Sequence, residues 1–402
     1  MIIKGIKVKK ILDSRGNPTV EVELKTNKGE FSASVPSGAS KGRYEALELR
    51  DKDGKGVKKA IANIKKIISP ALEGKDFADQ KEIDEILIKL DGTENKSKLG
   101  VNAVLPISIA ACRALAADQK TPLYRYIAQL MGNGSFLTLP FPCFNIIEGG
   151  AHADNDLDIQ EFMIIPQKKY FRENLKAASD IYQSLKNILG KDSVQSGDEG
   201  GFAPKISSVE EALYALNNSI KIHPETKIGL DAAASQFYKE DKYILENQSL
   251  TRNGLLDFYK DLISKFPIIF IEDPFSEDDW QGFEEITKQF SGRINILGDD
   301  LLTTNIKRIK EAGNKMACNG LILKPNQIGT VTETIEAAKL AKSYGWKVLV
   351  SHRSGETDDD FIADLAVGVS ADFIKAGAPV TPERMVKYNK LLAIEEEIYS
   401  KR

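Results

Sequence analysis

Six short apolar runs, each ending in a polar or charged residue, constrain the fold of this chain more than any other feature. They are Lys227–Asp231, Pro267–Glu272, Ile294–Asp299, Gly320–Lys324, Lys347–His352 and Asp372–Lys375, with end points separated by 41, 27, 25, 28 and 23 residues. A helical pattern follows each, for example Val331–Ala341 and Asp358–Val367. Strand and helix repeating at this spacing make a parallel βα array, and eight such units close into a barrel. Two upstream candidates, Pro142–Ile147 and Glu161–Ile165, complete the eight. The link between them, Glu148–Gln160, is rich in Gly, Asp and Asn and has no helical pattern. A parallel crossover needs a dozen or more residues, usually with a helix, so this pair reads as antiparallel. Two helical patterns, Asn174–Leu189 and Ser208–Ile220, precede the third strand. The predicted order is ββαα followed by six βα units, a (β/α)8-type barrel.

Upstream the rhythm differs. Ile2–Lys9, Thr19–Leu24 and Phe31–Val35 read as strands. Val57–Ile68, Asp79–Leu90 and Asn102–Ala117 carry apolar residues at helical steps. Strands followed by helices predict an α+β domain ending near Gly132-Asn133-Gly134. The expectation is an α/β chain with an N-terminal α+β cap over residues 1–132 and a barrel over 133–402.

Lys plus Arg total 55 and Asp plus Glu 58, a net charge of −3. That balance argues against nucleic-acid binding, which calls for a basic excess. Three scattered cysteines, Cys112, Cys143 and Cys318, make neither a disulfide framework nor a zinc site. They read as reduced thiols of a cytoplasmic protein. The first ten residues lack the apolar stretch of a signal peptide. The longest apolar region, Val101–Ala117, is interrupted by Arg113 and falls short of the ~18 residues of a transmembrane helix. No membrane insertion is expected.

In a βα barrel the site lies at the C-terminal ends of the strands. Here those ends bring Asp231, Glu272, Asp299, Lys324, the Ser351-His-Arg-Ser354 segment and Lys375. Each carboxylate could cap the helix after its strand. Three in consecutive units, facing one mouth, would repel strongly without a cation, and few hard oxygen ligands suit Mg²⁺. Lys324 and Lys375 beside a dication would have lowered pKa values, and such a lysine can act as a base. Arg353 and Ser354 follow the seventh strand, where barrels often bind phosphate; they suit a phosphate or a carboxylate. Gly197-Asp-Glu-Gly-Gly201 can make a tight turn, and Glu199 on it is placed to be a general acid. Of the three histidines, His223 reads as a helix-end residue, His152 lies in a Gly-rich segment suited to a lid, and His352 sits beside the anion site.

With these residues assembled, the chain resembles the enolase family over its whole length. The resemblance is carried by Asp13-Ser-Arg-Gly-Asn-Pro-Thr19, Val35-Pro-Ser-Gly-Ala-Ser40, Asp91-Gly-Thr-Glu-Asn-Lys-Ser97, Asp158-Ile-Gln-Glu-Phe-Met163, Gly197-Asp-Glu-Gly-Gly201, Ile271-Glu-Asp273, Gly298-Asp-Asp300, Asn326-Gln-Ile-Gly329, Ser351-His-Arg-Ser-Gly-Glu-Thr357 and Lys387-Tyr-Asn389. It implies a glycolytic lyase interconverting 2-phosphoglycerate and phosphoenolpyruvate, with two Mg²⁺ per site. Asp231, Glu272 and Asp299 are implied as ligands of the first ion and Ser40 of the second. Lys324 is implied as the base at C2 and Glu199 as the acid at the C3 hydroxyl, with Glu161 and Gln160 nearby. Lys375 would face the substrate carboxylate, Arg353 and Ser354 the phosphate, His352 would lie beside it, and His152 would reach in from a lid. A homodimer or an octamer of dimers is implied.

The chain departs from the family pattern at Lys41 (usually Thr), Glu148 (usually Asn before Gly-Gly), Thr381-Pro382 (usually Arg-Ser) and Ala393 (usually Arg, a residue that can face a partner subunit). Two other readings share the scaffold. One is another superfamily enzyme acting on a different carboxylate; the other is a non-catalytic surface-binding protein using Lys401-Arg402. Acid and base must start in opposite states, Lys324 neutral and Glu199 protonated. The expectation is that cations depress Lys324 and that burial and neighbouring carboxylates raise Glu199.

Overall fold

The computed structural model describes residues 1–400 except 40, 53, 133, 135, 136 and 191–194. Ser40, Asn133 at the expected domain boundary and Lys401-Arg402 therefore lie outside the described residues.

Strands β1 (Ile3–Leu12), β2 (Pro18–Thr26) and β3 (Gly29–Ser34) form an antiparallel sheet in that order. Alternate residues of β2 (Val20, Val22, Leu24) are fully buried, as a half-buried strand requires. The expected helix over 57–68 begins as Lys58–Asn63, widens into a π turn over Ile64–Ile68 and finishes as Ser69–Leu72. Gln80–Asp91 is capped by Asp79, which accepts the Glu82 N–H, and stops at Gly92, whose φ of 69° glycine adopts without penalty. Val101–Asp118 is apolar on nearly every face because it packs on β2, β3 and helices of the barrel. Among the described residues it alone has the length and composition to cross a membrane, and most of it is buried in this core. A further helix, Leu123–Met131, follows Pro122.

The barrel closes as predicted. Its strands are β4 (Phe141–Glu148), β5 (Glu161–Ile165), β6 (Lys227–Asp231), β10 (Ile268–Glu272), β11 (Asn295–Gly298), β12 (Gly320–Leu323), β13 (Lys347–Ser351) and β14 (Phe373–Lys375). β5 runs antiparallel to both β4 and β6, and the other neighbours are parallel. Helices Phe171–Leu189 and Val209–Ser219 fill the ββαα start. The long first spacing hides a small sheet that periodicity did not disclose: β7 (Tyr238–Lys239), β8 (Lys242–Leu245) and β9 (Gln248–Leu250). All three cysteines are buried and unpaired.

The alternation of side chains along a strand organises the barrel interior. Cys143, Met163, Phe270, Leu297, Ile322, Leu349 and Phe373 form an apolar plug. Gly229 supplies the eighth place, where a Cβ would intrude on the Phe270 ring. Two residues further on, facing the same way, come Asn145, Asp231, Glu272, Asp299, Lys324, Ser351 and Lys375. On the reversed β5 the matching residue lies two positions earlier, at Glu161. The plug and this polar crown are thus successive rungs of one barrel.

Candidate active site

Lys375 Nζ stands at the centre of the crown. It donates to Glu272 Oε2 and Oε1 at 2.7 and 2.9 Å and to Glu161 Oε2 at 3.1 Å, with Asp231 Oδ2 at 3.4 Å. Burial opposes its charge, but Glu161, Glu272 and Asp231 outweigh that and hold its pKa well above the usual lysine range. Lys324 Nζ pairs with Asp299 Oδ2, and Gln327 Nε2 holds the other Asp299 oxygen at 2.8 Å. Asp273, one residue beyond β10, accepts the backbone N–H groups of Asp299 and Asp300 at 2.9 and 2.6 Å and so fixes the Asp299 turn. Asp231 also accepts the Ala233 N–H at 3.0 Å, a bond within its own turn; the helix that follows is capped by Thr251 instead.

The expectation of lowered lysine pKa values needs correction, for Lys375 and for Lys324 as well. Lysines and other cations do lower Lys324, as does burial, but the adjoining Asp299 carboxylate prevails and its pKa is raised. Glu199 likewise has a different setting from the one expected. Asn145 Nδ2 donates to its Oε2 at 3.2 Å, His352 Nε2 lies 3.0 Å from the same oxygen, and His152 Nδ1 is 3.7 Å from Oε1. Burial favours the protonated acid, while positive charge on His352, His152 and Arg384 would hold it well below the carboxylate range. Burial, however, lowers His352 to about 4 and also lowers His152. Both imidazoles are therefore neutral at neutral pH, and their pull on Glu199 is then absent. Glu161, raised by burial and by Glu199, sits at about 8.

Arg384 explains the orientation of His352. Its fully buried guanidinium donates to His352 Nδ1 and the Arg353 carbonyl at 2.7 Å, to the Ser354 carbonyl at 2.6 Å and to the Asp198 carbonyl at 3.0 Å. A guanidinium only donates, so Nδ1 accepts and the ring proton is on Nε2, facing Glu199. Arg353 itself is gripped by Glu45 through two prongs and by Asn326 Oδ1 at 3.1 Å. Ser354 Oγ accepts the Ala39 N–H at 2.7 Å, which brings the N-terminal loop over the barrel mouth. Gln160 Nε2 reaches Asp231 Oδ2 at 3.2 Å.

The structure thus brings together Glu161, Glu199, Lys324, Lys375, Asp231, His152, Gln160, His352, Arg353 and Ser354 around one buried cavity beneath Gly38 and Ala39. Glu272 and Asp299 join them through the two lysines. With the loop in this position the cavity is about 20 Å³, room for a water. A roomier cavity of about 590 Å³ lies elsewhere, between the N-terminal sheet and residues 356–360, and contains none of the strand-end lysines. His223, as expected, is remote and contacts Asp180. Among the described residues two sets of donors have ligand atoms within 4.8 Å of one another: His152, Glu161 and Glu199, and Asp273, Asp299 and Asp300. The anticipated Asp231, Glu272 and Asp299 trio is not such a set, because the lysine amines stand between its carboxylates. Asn145, Glu148, Glu45, Gln327 and Arg384 were not anticipated as site residues. Asn145 could have been found by the two-residue step from Cys143; the others reach the site only through tertiary packing.

Comparison with known proteins places the sequence among related chains. The family model described as "Enolase, N-terminal domain" matches residues 3–127, and "Enolase, C-terminal TIM barrel domain" matches residues 136–402. Enolase B of Dictyostelium discoideum is 51% identical over 423 aligned positions, covering 99% of this chain and 95% of the relative. An enolase of Mastigamoeba balamuthi is 51% identical over 421, covering 98% and 96%.

Proposed function

The chain belongs to the enolase family, and on that premise we propose how its crown of lysines and carboxylates works. It is an enzyme, a carbon–oxygen lyase with phosphopyruvate hydratase activity, acting on a small-molecule substrate and interconverting 2-phosphoglycerate with phosphoenolpyruvate and water. The observation that carries the mechanism is that Lys324 and Glu199 line the same buried cavity as Arg353 and Lys375.

A hydrogen next to a carboxylate is a very weak acid, since its removal places a second negative charge on that group. Lys324, as the free amine, takes the C2 proton. Lys375, held charged by its carboxylates, faces the substrate carboxylate and stabilises the developing charge. Hydroxide is a poor leaving group, so Glu199 delivers a proton to the C3 oxygen as the bond breaks. Glu161, Gln160 and His152 line the same wall. The Arg353 fork and Ser354 hold the phosphate, with His352 beside them.

Asp231, Glu272 and Asp299 fit a hard divalent cation, which we assign as Mg²⁺ with two ions per site. In their favour, the three are buried acidic side chains brought into one crown with only two ammonium groups. Such an ion would supply positive charge for the dianionic carboxylate and compete with Lys324 for Asp299, lowering the lysine. Ser40 is assigned to the second ion on the family resemblance.

Residues 1–132 act as a cap on the barrel over 133–402. In support, Lys96 pairs with Glu333 at 2.8 Å and Glu45 with Arg353. We assign a cytoplasmic location, consistent with three unpaired thiols, and a homodimer or octamer of dimers. Ultraviolet absorbance of the enol product, followed from 2-phosphoglycerate with Mg²⁺ and then with EDTA, tests the function. Growth that EDTA stops is expected; no growth rejects the assignment, and equal turnover of glycerate lacking the phosphate rejects the role of Arg353 and Ser354.

A further inference from the structure

Glu148 ends β4 with a fully buried carboxylate. Among the described residues no cation lies within ion-pair distance of it. Its oxygens instead accept the Glu199 N–H at 3.1 and 3.2 Å and the Gly201 N–H at 2.6 Å. The main chain strengthens the attachment: Glu148 N–H donates to the Phe202 carbonyl at 2.8 Å, and Phe202 N–H to the Ile146 carbonyl at 2.9 Å. The turn also closes around this carboxylate. A Cβ at Gly201 would lie 2.9 Å from Glu148 Oε1, and one at Gly197 would collide with Oε2. Gly197 and Gly201 are therefore required by the carboxyl group that the turn encloses, and Gly200 by its φ of 88°.

Burial and the neighbouring Glu199 push the Glu148 carboxyl well above the usual carboxylate range, and the two backbone donors offset part of that rise. On the cavity side, Asn145 and His352 hold the Glu199 side chain. Glu199 is thus gripped from two directions, by its carboxylate in front and by its amide behind.

We propose that Glu148 is a positioning residue for the dehydration step: its carboxyl group pins the amides of Glu199 and Gly201 and so aims Glu199 into the cavity shared with Lys324. This rests on the reading of Glu199 as the acid. Glu148 touches neither Lys324 nor the anion-binding Arg353 and Ser354, so its effect falls on one half of the reaction. Oε1 serves both amides and Oε2 only that of Glu199, so a glutamine keeps the volume but sets an N–H₂ group against the Glu199 N–H and loosens the hold on that residue.

The test follows two rates in the holoenzyme: exchange of the C2 hydrogen of 2-phosphoglycerate with deuterated solvent, and its dehydration. For Glu148→Gln, dehydration kcat is expected to fall about tenfold or more, with C2 exchange within about threefold and KM within about twofold of the parent. Glu148→Asp, which keeps both oxygens, should recover part of the loss. Equal loss of both rates, or no loss, overturns the proposal. Glu199→Gln is measured alongside. A split there but not in Glu148→Gln overturns the role of Glu148 alone, while no split in Glu199→Gln overturns the acid assignment and this proposal with it. Should the Glu148 variants not fold, amide hydrogen exchange in the parent enzyme decides: protected Glu199 and Gly201 amides are expected, and freely exchanging ones overturn the clamp.

Discussion

Arg353 and Glu45 meet through two parallel bonds, Nη1 to Oε2 at 2.8 Å and Nη2 to Oε1 at 3.1 Å, joining the end of the seventh barrel strand to the N-terminal loop. Asn326 takes a third bond from the same fork at 3.1 Å. A planar guanidinium can serve these partners and an anion together, whereas an ammonium is a point charge. Arg353→Lys should therefore raise KM for 2-phosphoglycerate by about tenfold or more, a loss of at least ~1.4 kcal/mol. Steady-state kinetics check this, and an unchanged KM would show that the fork is not the phosphate site.

Lys324 contacts Asp299 and lies in the same cavity as Glu199, yet the two residues are assigned different protons. Lys324→Ala should abolish C2 exchange and lower kcat by at least about a hundredfold, the usual lower scale of general-base catalysis. Exchange measured in deuterated solvent is the readout. Exchange at the parental rate would remove Lys324 from the role of base.

The legibility of this chain is uneven for physical reasons. The parallel strands were readable because each is a short, fully buried apolar run that must end at the polar mouth. Even the reversal at β5 was readable, since the residues between β4 and β5 offer no crossover helix. The strand-end rule does not reach Glu161, because in a reversed strand the mouth lies at its beginning; the family resemblance supplies that residue instead. β7, β8 and β9 have two, four and three residues, too few to establish a period. Arg384 and Glu45 reach the site through contacts 31 and 308 residues away in the chain, which no local pattern encodes. Asp299 beside Lys324, and His352 and His152 beside Glu199, are neighbours that only tertiary packing supplies.

Gly229 lies below Asp231 and beside Phe270 on the next strand, where any Cβ would enter the ring. Phe270 in turn lies one rung below Glu272. Gly229→Ala should destabilise the fold by roughly 1–3 kcal/mol, the scale of overpacking in a core. Activity should fall with it, because two neighbouring acidic members of the crown stand on the displaced rung. Thermal melting and turnover of the variant check both halves. A stable variant with full activity would mean that the plug yields without moving the crown.

Asp84 ties the N-terminal helices to the barrel. Its fully buried carboxylate accepts from Ser108 Oγ at 2.6 Å, Thr332 Oγ1 at 2.6 Å, the Thr332 N–H at 2.9 Å and Gln80 Nε2 at 3.0 Å. Burial raises its pKa from 3.8 to about 6, and these hydrogen bonds offset only part of the rise. Between those values the folded chain holds a proton that the unfolded chain releases. The contribution of this group to stability is therefore fully present below about pH 4 and is lost as pH rises through about 6, by an amount on the order of 3 kcal/mol. Asp84→Asn cannot titrate and should lack this decline. Denaturant titrations of both proteins should show the parent's advantage over Asp84→Asn shrinking as pH rises from about 4 to 7. An advantage that stays constant or grows over that range would mean that Asp84 is ionised throughout and that its four donors outweigh its burial.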